Sequence, residues 1–340
     1  MNIAHLLPYS ARFPLKKHNG RYEWALALAR EQAKQGHKVT IYAAPGSHDN
    51  SAIRWKSLGE SLGDKNQNNK ALLQIAFQNT EHDIFHSHFD ALHYSLAHFT
   101  QNPIVCTQHW FPNESITTAA RQFTGDNVFV VPVTRYMEQK DKQLGINTTR
   151  MIYHGINLSL FHPVATPALK RFIFVGRITP SKGVREAVMM AKETKSFLDI
   201  VGKINDADQA YWQTILPYID NKTIRYLGPQ PQEIVAELMA NARAFLFPSQ
   251  QEEAFGQVTI EAQACGTPVI ISDVGASSEL VQQGVTGFVC TSRKDFLEAI
   301  KKIDSIDRDA CREFAETFSD ATMFQAYDAL YAQLTGVEAS

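Results

Sequence analysis

Short apolar runs alternate along this chain with longer stretches in which apolar positions recur at helical spacing. In the first half, NIAHLLP near the start, KVTIYAAP at 38–45, HDIFHSH at 82–88, PIVCTQHW at 103–110 and NVFVVPVT at 127–134 read as strands. In the second half, RFIFVG from Arg171, FLDIVG from Phe197, IRYLG from Ile224, RAFLFP from Arg243 and PVIISD from Pro268 do the same. Helical patterns cover Arg21–Gln35, closed by Gly36, then Val184–Glu193, Pro231–Asn241, Gln257–Cys265 and Ala321–Leu334. Strand and helix in alternation mean βαβ units and parallel sheets. The runs are apolar nearly throughout, which suits sheets covered on both faces.

This pattern predicts an α/β protein of two Rossmann-like domains, with parallel sheets facing a central cleft. Phe161–Lys170 (FHPVATPALK), with two prolines and no periodicity, reads as the linker. The expected boundaries are 1–162 for the first domain and 163–320 for the second. Residues 321–340 form a final helix that packs back on the first domain. The polar run GDKNQNNK at 63–70 reads as a mobile loop. A chain of 340 residues fits this division, because single cores stop growing well below that length.

Composition narrows the class. Hydrophobic residues make up 44% and charged residues 20%, as in a soluble globular protein. No apolar run approaches the roughly 18–20 residues of a membrane span, and MNIAHLLPYS lacks the basic start of a signal peptide. Cys106, Cys265, Cys290 and Cys311 are scattered with no CxxC pair, as expected of reduced, buried thiols in a cytoplasmic protein. Residues 1–165 carry 16 Lys and Arg against 12 Asp and Glu, and the remainder 17 against 23. The basic first half, with Arg12, Lys16, Lys17, Arg21, Arg54 and Lys56, is compatible with peripheral contact at the inner face of an anionic membrane, or with ordinary solvated surface. The excess is too small for nucleic-acid binding.

Two stretches carry chemistry. In RFIFVGRITPSKG a strand runs into Gly176 and Arg177, then Lys182-Gly183 and a helix. Ligands of open α/β sheets bind beyond the carboxyl ends of strands, and helix N-termini offer free N–H groups to anions. Arg177 and Lys182 there add a fork and a point charge suited to a diphosphate. Neither a Walker A run nor GxGxxG is present. The bland alternative is a pair of surface cations. In EEAFGQVTIEAQACGTPVII the loop after a strand carries Glu252 and Glu253, and a helix opens near Gly256. The amides of Phe255, Gly256 and Gln257 then face a phosphate. Glu261, about one turn on, suits vicinal ribose hydroxyls, and Glu253 the sugar side of the same ligand. A diphosphate cradle flanked by two hydroxyl-binding carboxylates describes a nucleotide-sugar site.

The spacing EAFGQVTIE followed by AQACGTPVI, with FVGRITPSKG upstream, resembles the retaining GT-B glycosyltransferases of family 4 (glycosyltransferase group 1). Segments DIFHSH, TQH at 107–109, Val131–Thr134 and YHGINLSLF at 153–161 fall where that family has recognisable segments, so the resemblance covers almost the whole chain. It implies that Arg177 and Lys182 hold the diphosphate, Glu261 the ribose and Glu253 the transferred sugar, with the Phe255-Gly256-Gln257 amides nearby. His109 resembles the family's active-site histidine, and Asn19-Gly20 its glycine pair near phosphate and acceptor. The chain departs at Asn19, at Glu23 (one position later than usual), and at His154-Gly155-Ile156-Asn157, where Asn-Gly-Ile-Asp is usual and a change in the cleft floor is expected.

The activity so implied is retaining, metal-independent transfer of a hexose from a UDP- or GDP-sugar to a glycan, lipid-linked or small-molecule acceptor. No cofactor or metal is expected, since no DxD ends a second-domain strand. A nucleotide-sugar epimerase of the same architecture and a catalytically silent nucleotide-sugar binder are the alternatives. A glycosidase suits the two glutamates poorly, because glycosidase carboxylates flank the bond from opposing positions. His86 and His88 alternate on one strand, with His82, His93 and His98 close by; core or cleft-lining roles fit them better than zinc, whose usual spacings are absent.

Overall fold

The computed structural model describes residues 1–15, 19–123 and 125–337. Lys16 and Lys17, counted above in the basic half, lie outside the described residues. The chain divides into two compact units, Met1–Tyr153 with Met323–Ser340, and His154–Thr322. Each contains one six-stranded sheet whose strand pairs are parallel.

In the first unit β1 (Asn2–Leu6), β2 (Lys38–Tyr42), β3 (Arg54–Lys56), β4 (Ile84–Ser87), β5 (Ile104–Gln108) and β6 (Val128–Pro132) lie in the order β3-β2-β1-β4-β5-β6. In the second, β7 (Arg171–Val175), β8 (Phe197–Val201), β9 (Ile224–Gly228), β10 (Ala244–Phe247), β11 (Val269–Ser272) and β12 (Gly287–Cys290) lie in the order β12-β11-β10-β7-β8-β9. Both sheets are doubly wound. The chain lays down three strands outward from the first, then returns and lays down three on its other side. The strand order reverses between β1 and β4, and between β7 and β10, and such reversals are where α/β sheets bind ligands.

Side chains alternate across each strand, so both faces of the first sheet are apolar. Ile3 of β1 joins Trp24, Leu28, Val39 and Tyr327 on one face. Ala4 and Leu6 join Leu73, Phe85 and Ile104 on the other. Burial of each Leu, Ile, Val or Phe among them contributes about 1.5–3 kcal/mol. The C-terminal helix Asp320–Thr335 brings Met323, Phe324, Tyr327, Leu330 and Tyr331 into the first of these clusters.

The structure differs from the sequence reading at three places. The units part at 153/154 and 322/323, not at 162/163 and 320/321. The reason is that His154–Phe161 is bonded into the second unit: Ile156 N donates to Phe318 O at 2.8 Å, and Arg312 Nη1 to Phe161 O at 2.9 Å. The run 63–70 is no loop, since Lys65–Phe77 is a helix capped by Asp64, whose carboxylate accepts from Gln67 N at 2.8 Å. Two of its asparagines are used internally. Asn68 Oδ1 accepts from Leu62 N and Asn69 Oδ1 from Tyr9 N, and both side chains are buried. Third, β3 and β12 are additional edge strands.

All four cysteines are free and buried. Among the described residues no helix is long and apolar enough to cross a membrane.

Candidate active site

In the second unit, Gly176 and Arg177 follow β7 directly, and Arg177 is exposed. The chain then makes a short turn, Pro180–Lys182, before the helix Val184–Glu193. Gly183 joins the two in the left-handed region (φ +72°), and a Cβ there would lie 1.8 Å from Pro248 O, just beyond β10. Only glycine permits that approach. Gln250 N donates to Ser181 O at 2.8 Å, which stitches the turn to the loop after β10. The ends of β7 and β10, the two strands flanking the order reversal, are thereby fastened together.

That fastening brings two of the predicted residues into contact. Lys182 Nζ forms an ion pair with Glu253 Oε1, their side chains 17% and 24% exposed. The sequence reading assigned them to separate parts of one ligand, and here they meet each other. Ser249, which that reading passed over, has Oγ at 3.4 Å from the same carboxylate oxygen. Lys182 Nζ also lies 5.5 Å from the centre of the Phe247 ring. The loop carrying Glu253 is pressed from the far side by Gly275, whose Cβ would stand 2.7 Å from Glu253 O.

Gly256 is the N-cap of helix Gln257–Ala264, at φ 83° and ψ 53°. Gln257 is its first residue, and Glu261 lies half-buried about one turn on. Phe255 turns inward, 3% exposed, with its ring edge-on to His154 at 5.3 Å. His154 is therefore a core residue packed beneath Phe255, and burial lowers its imidazole to about 3. Asn157 spends its side chain locally, accepting from Ser159 N and Leu160 N. Ser249, Glu253, Gly256, Thr259, Ser272 and Ser277 line a small recess at this end of the sheet.

In the first unit, His109 follows β5 and packs edge-on against Trp24 at 5.0 Å, with the His88 ring 5.9 Å away. Gly20 is the first residue of helix Gly20–Lys34. Asn19 is its N-cap, accepting from Tyr22 N at 3.3 Å, while Glu23 Oε1 accepts from Asn19 N at 3.4 Å. The two departures from the family pattern at Asn19 and Glu23 thus form one capping arrangement.

Beneath His109 lies a buried histidine layer. His5 Nδ1 and His88 Nε2 are 3.2 Å apart, and His5 Nε2 meets Gln32 Oε1 at 2.8 Å. His86 lies between Thr107 Oγ1 (2.7 Å) and the Tyr331 hydroxyl (2.5 Å), and Tyr327 bonds Thr107 at 2.6 Å. Ring nitrogens of His5, His86 and His88 fall within 4.8 Å of one another, and all three side chains are buried. The Tyr331 hydroxyl on His86 and the Tyr327 hydroxyl on Thr107 link the C-terminal helix to this layer. His82 and His93 are likewise buried, bonded to Tyr42 and Ser87.

Two doubly wound parallel sheets, with cationic and acidic side chains gathered beyond the strand ends, define an α/β protein of the GT-B type. The chain belongs to the family-4, group 1 glycosyltransferases: the model described as Glycosyltransferase Family 4 matches residues 23–160, and that described as Glycosyl transferases group 1 matches residues 164–320. The O-antigen chain mannosyltransferase B of Escherichia coli is 30% identical over 149 residues, 42% of this chain and 38% of its own length. The matches span about half the length or less of that protein and of two other curated relatives. Among solved structures, a sucrose-phosphate synthase from Thermosynechococcus elongatus superimposes with a TM-score of 0.84 at 20% identity, covering 99% of this chain and 100% of its own. The Anabaena protein HepE, solved with UDP and glucose, gives 0.78 at 17% identity, covering 98% and 100%. At these identities the likeness is one of fold.

Proposed function

We propose that the protein transfers a sugar, with retention, from a UDP- or GDP-sugar to an acceptor hydroxyl, using its own cations where other enzymes use a metal ion. The observation that carries this reading is the convergence of Lys182 and Glu253 at the carboxyl ends of β7 and β10. Arg177 follows the first of these strands, and the Gly256-capped helix follows the second. That UDP and UDP-glucose occupy the fold relative HepE supports a nucleotide-sugar donor.

In this reading Arg177, Lys182 and the helix N-terminus meet the diphosphate and stabilise the negative charge it gains as the glycosidic bond breaks. Glu261 accepts hydrogen bonds from ribose hydroxyls. Glu253 orients the sugar and is not a nucleophile. The acceptor attacks the face the diphosphate leaves, and the departing phosphate takes the acceptor's proton.

Thermal-shift measurements with UDP-, GDP- and ADP-sugars test the donor, since a bound ligand raises stability by mass action. One nucleotide class should raise the second unit's transition in the wild type and not in Arg177→Ala. NMR of the donor incubated alone tests the reaction: isomerised sugar without acceptor would assign an epimerase.

A further inference from the structure

We propose that the first unit takes its acceptor as a neutral saccharide, with Trp110 as the surface on which a pyranose ring stacks and Asp90 as the group that receives its hydroxyls. The proposal rests on the transferase reading and supplies the acceptor class that reading leaves open.

Three residues from separate segments meet at the carboxyl end of the first sheet. Arg21 is in the first turn of helix Gly20–Lys34, Asp90 lies in the loop after β4, and Trp110 follows His109 beyond β5. Arg21 Nη1 donates to Asp90 Oδ1 at 2.8 Å, and Trp110 Nε1 donates to the same oxygen at 3.0 Å. The Arg21 guanidinium lies 4.7 Å from the centre of the Trp110 ring. An indole with its N–H tied and a guanidinium over one face of its ring is held in place, with its remaining exposed surface open to a ligand. Yet Trp110 is 48% exposed, whereas Trp24 and Trp212 are 6% and 7% exposed. A large, fixed aromatic surface left open beside His109 therefore needs a ligand-side explanation more than an ordinary surface side chain does.

The chemistry around the ring selects the ligand. An aromatic face carries negative charge density and attracts the polarised C–H bonds of a sugar ring. Asp90 is half-exposed, and its Oδ2 has no partner among the described residues. That oxygen is an acceptor beside the ring, suited to a hydroxyl. Arg21 is 12% exposed, pairs with Asp90 through Nη1 and keeps its Nε buried, so little of its guanidinium faces solvent, and the Asp90 carboxylate repels a phosphate. The charged pair beside the ring also disfavours an acyl chain. A neutral polyol ring suits the exposed part of Trp110 and the Asp90 Oδ2 together.

The test uses the whole protein with 15N-labelled tryptophan. The probes are methyl α-mannopyranoside, methyl β-glucopyranoside, methyl β-galactopyranoside and, as the anionic polyol, inositol 1-phosphate. The Trp110 indole resonance, identified by its loss in Trp110→Phe, should shift with at least one methyl pyranoside and not with inositol 1-phosphate. Trp110→Ala should weaken that pyranoside about tenfold and Asp90→Asn about fivefold. Failure of all three pyranosides to move the resonance, an equal response to inositol 1-phosphate, or unchanged affinity in Trp110→Ala would overturn the proposal. UDP binding is measured on the same sample. UDP bound with an unresponsive Trp110 sinks the saccharide platform alone, whereas absence of any nucleotide binding counts against the donor reading instead.

Discussion

Lys182 and Glu253 are ion-paired with each other, each largely buried. In the proposed reaction a donor diphosphate draws on the same ammonium, which makes phosphate binding and release of the Glu253 carboxylate one event. Lys182 bound to phosphate leaves Glu253 to accept from sugar hydroxyls. Glu253→Gln should therefore tighten binding of UDP alone by a few-fold, because the ammonium no longer has a charged partner to leave, while lowering transfer. Lys182→Ala should weaken nucleotide binding by about tenfold or more, the usual effect of deleting a charged hydrogen-bond donor. Calorimetric titration with UDP distinguishes the cases. If Glu253→Gln weakens UDP as much as Lys182→Ala does, the pair is a scaffold and does not compete with phosphate.

Gly183 makes the Lys182 turn possible. Alanine there meets two obstacles, a left-handed φ of +72° and a Cβ position 1.8 Å from Pro248 O. Backbone must move at β7 or β10, and the expected cost is at least about 2 kcal/mol. Urea denaturation of Gly183→Ala should show this in the transition of the second unit. Gly284→Ala is the comparison: its φ is also positive, but nothing stands within 4 Å of its Cβ position, so it carries only the dihedral cost.

The sheets were legible because each inner strand is a near-continuous apolar run, which identifies its own position without knowledge of the partner. β3 escaped because Arg54–Lys56 is three residues with two charges, and β12 because Gly287–Cys290 opens on glycine. The helix Lys65–Phe77 escaped because Asn68 and Asn69 in its polar first half are buried through specific bonds to Leu62 and Tyr9, a tertiary effect no local pattern announces. Residues of the candidate site in the second unit were legible because they occupy two contiguous stretches. Their pairing was not, since it depends on Gly183 and Ser181 joining two strand ends. The histidine layer and the Arg21–Asp90–Trp110 cluster were illegible for the same reason: His86 and Tyr331 are 245 positions apart in the chain.

Acid should weaken the first unit first. Burial lowers the imidazoles of His5 and His82 to about 4 and that of His93 to about 3, and holds His86 and His88 well below the usual 6.5. Below pH 6.5 the unfolded chain takes up protons at these sites and the folded chain does not. The unfolded state then binds more protons, so stability falls as pH falls through about 6.5 to 4. Asp141 and Asp328, pushed up to about 6 by burial, act oppositely. Folded, they keep a proton that the unfolded chain has lost, which favours the fold at low pH. The five histidines outnumber these two carboxyls, so the net slope follows the histidines, at up to about 1.4 kcal/mol per pH unit for each excess proton. Urea midpoints between pH 7.5 and 5 should decline for the first unit. A flat midpoint would mean that the buried imidazoles protonate without loss of structure.

Tyr331 and Thr107 hold opposite nitrogens of one imidazole. A neutral ring has one donor and one acceptor nitrogen, and His86 uses both, toward Thr107 Oγ1 and the Tyr331 hydroxyl. Tyr331→Phe keeps the ring in the core and removes only the hydroxyl, leaving His86 Nδ1 buried without that partner. The expected loss is about 1–3 kcal/mol, the cost of an unsatisfied buried polar group. Thr107→Val should do the same to His86 Nε2 and also release the Tyr327 hydroxyl. Because the two changes act on one hydrogen-bonded chain, their effects should not add: the double variant should depart from the sum by at least about 0.5 kcal/mol. Simple additivity would show that the C-terminal helix is held by its apolar residues, with Met323, Phe324 and Leu330 sufficient, and that the histidine layer is incidental to its docking. A coupling term would instead make the His86 ring the joint between that helix and strands β4 and β5, where His86 and Thr107 reside.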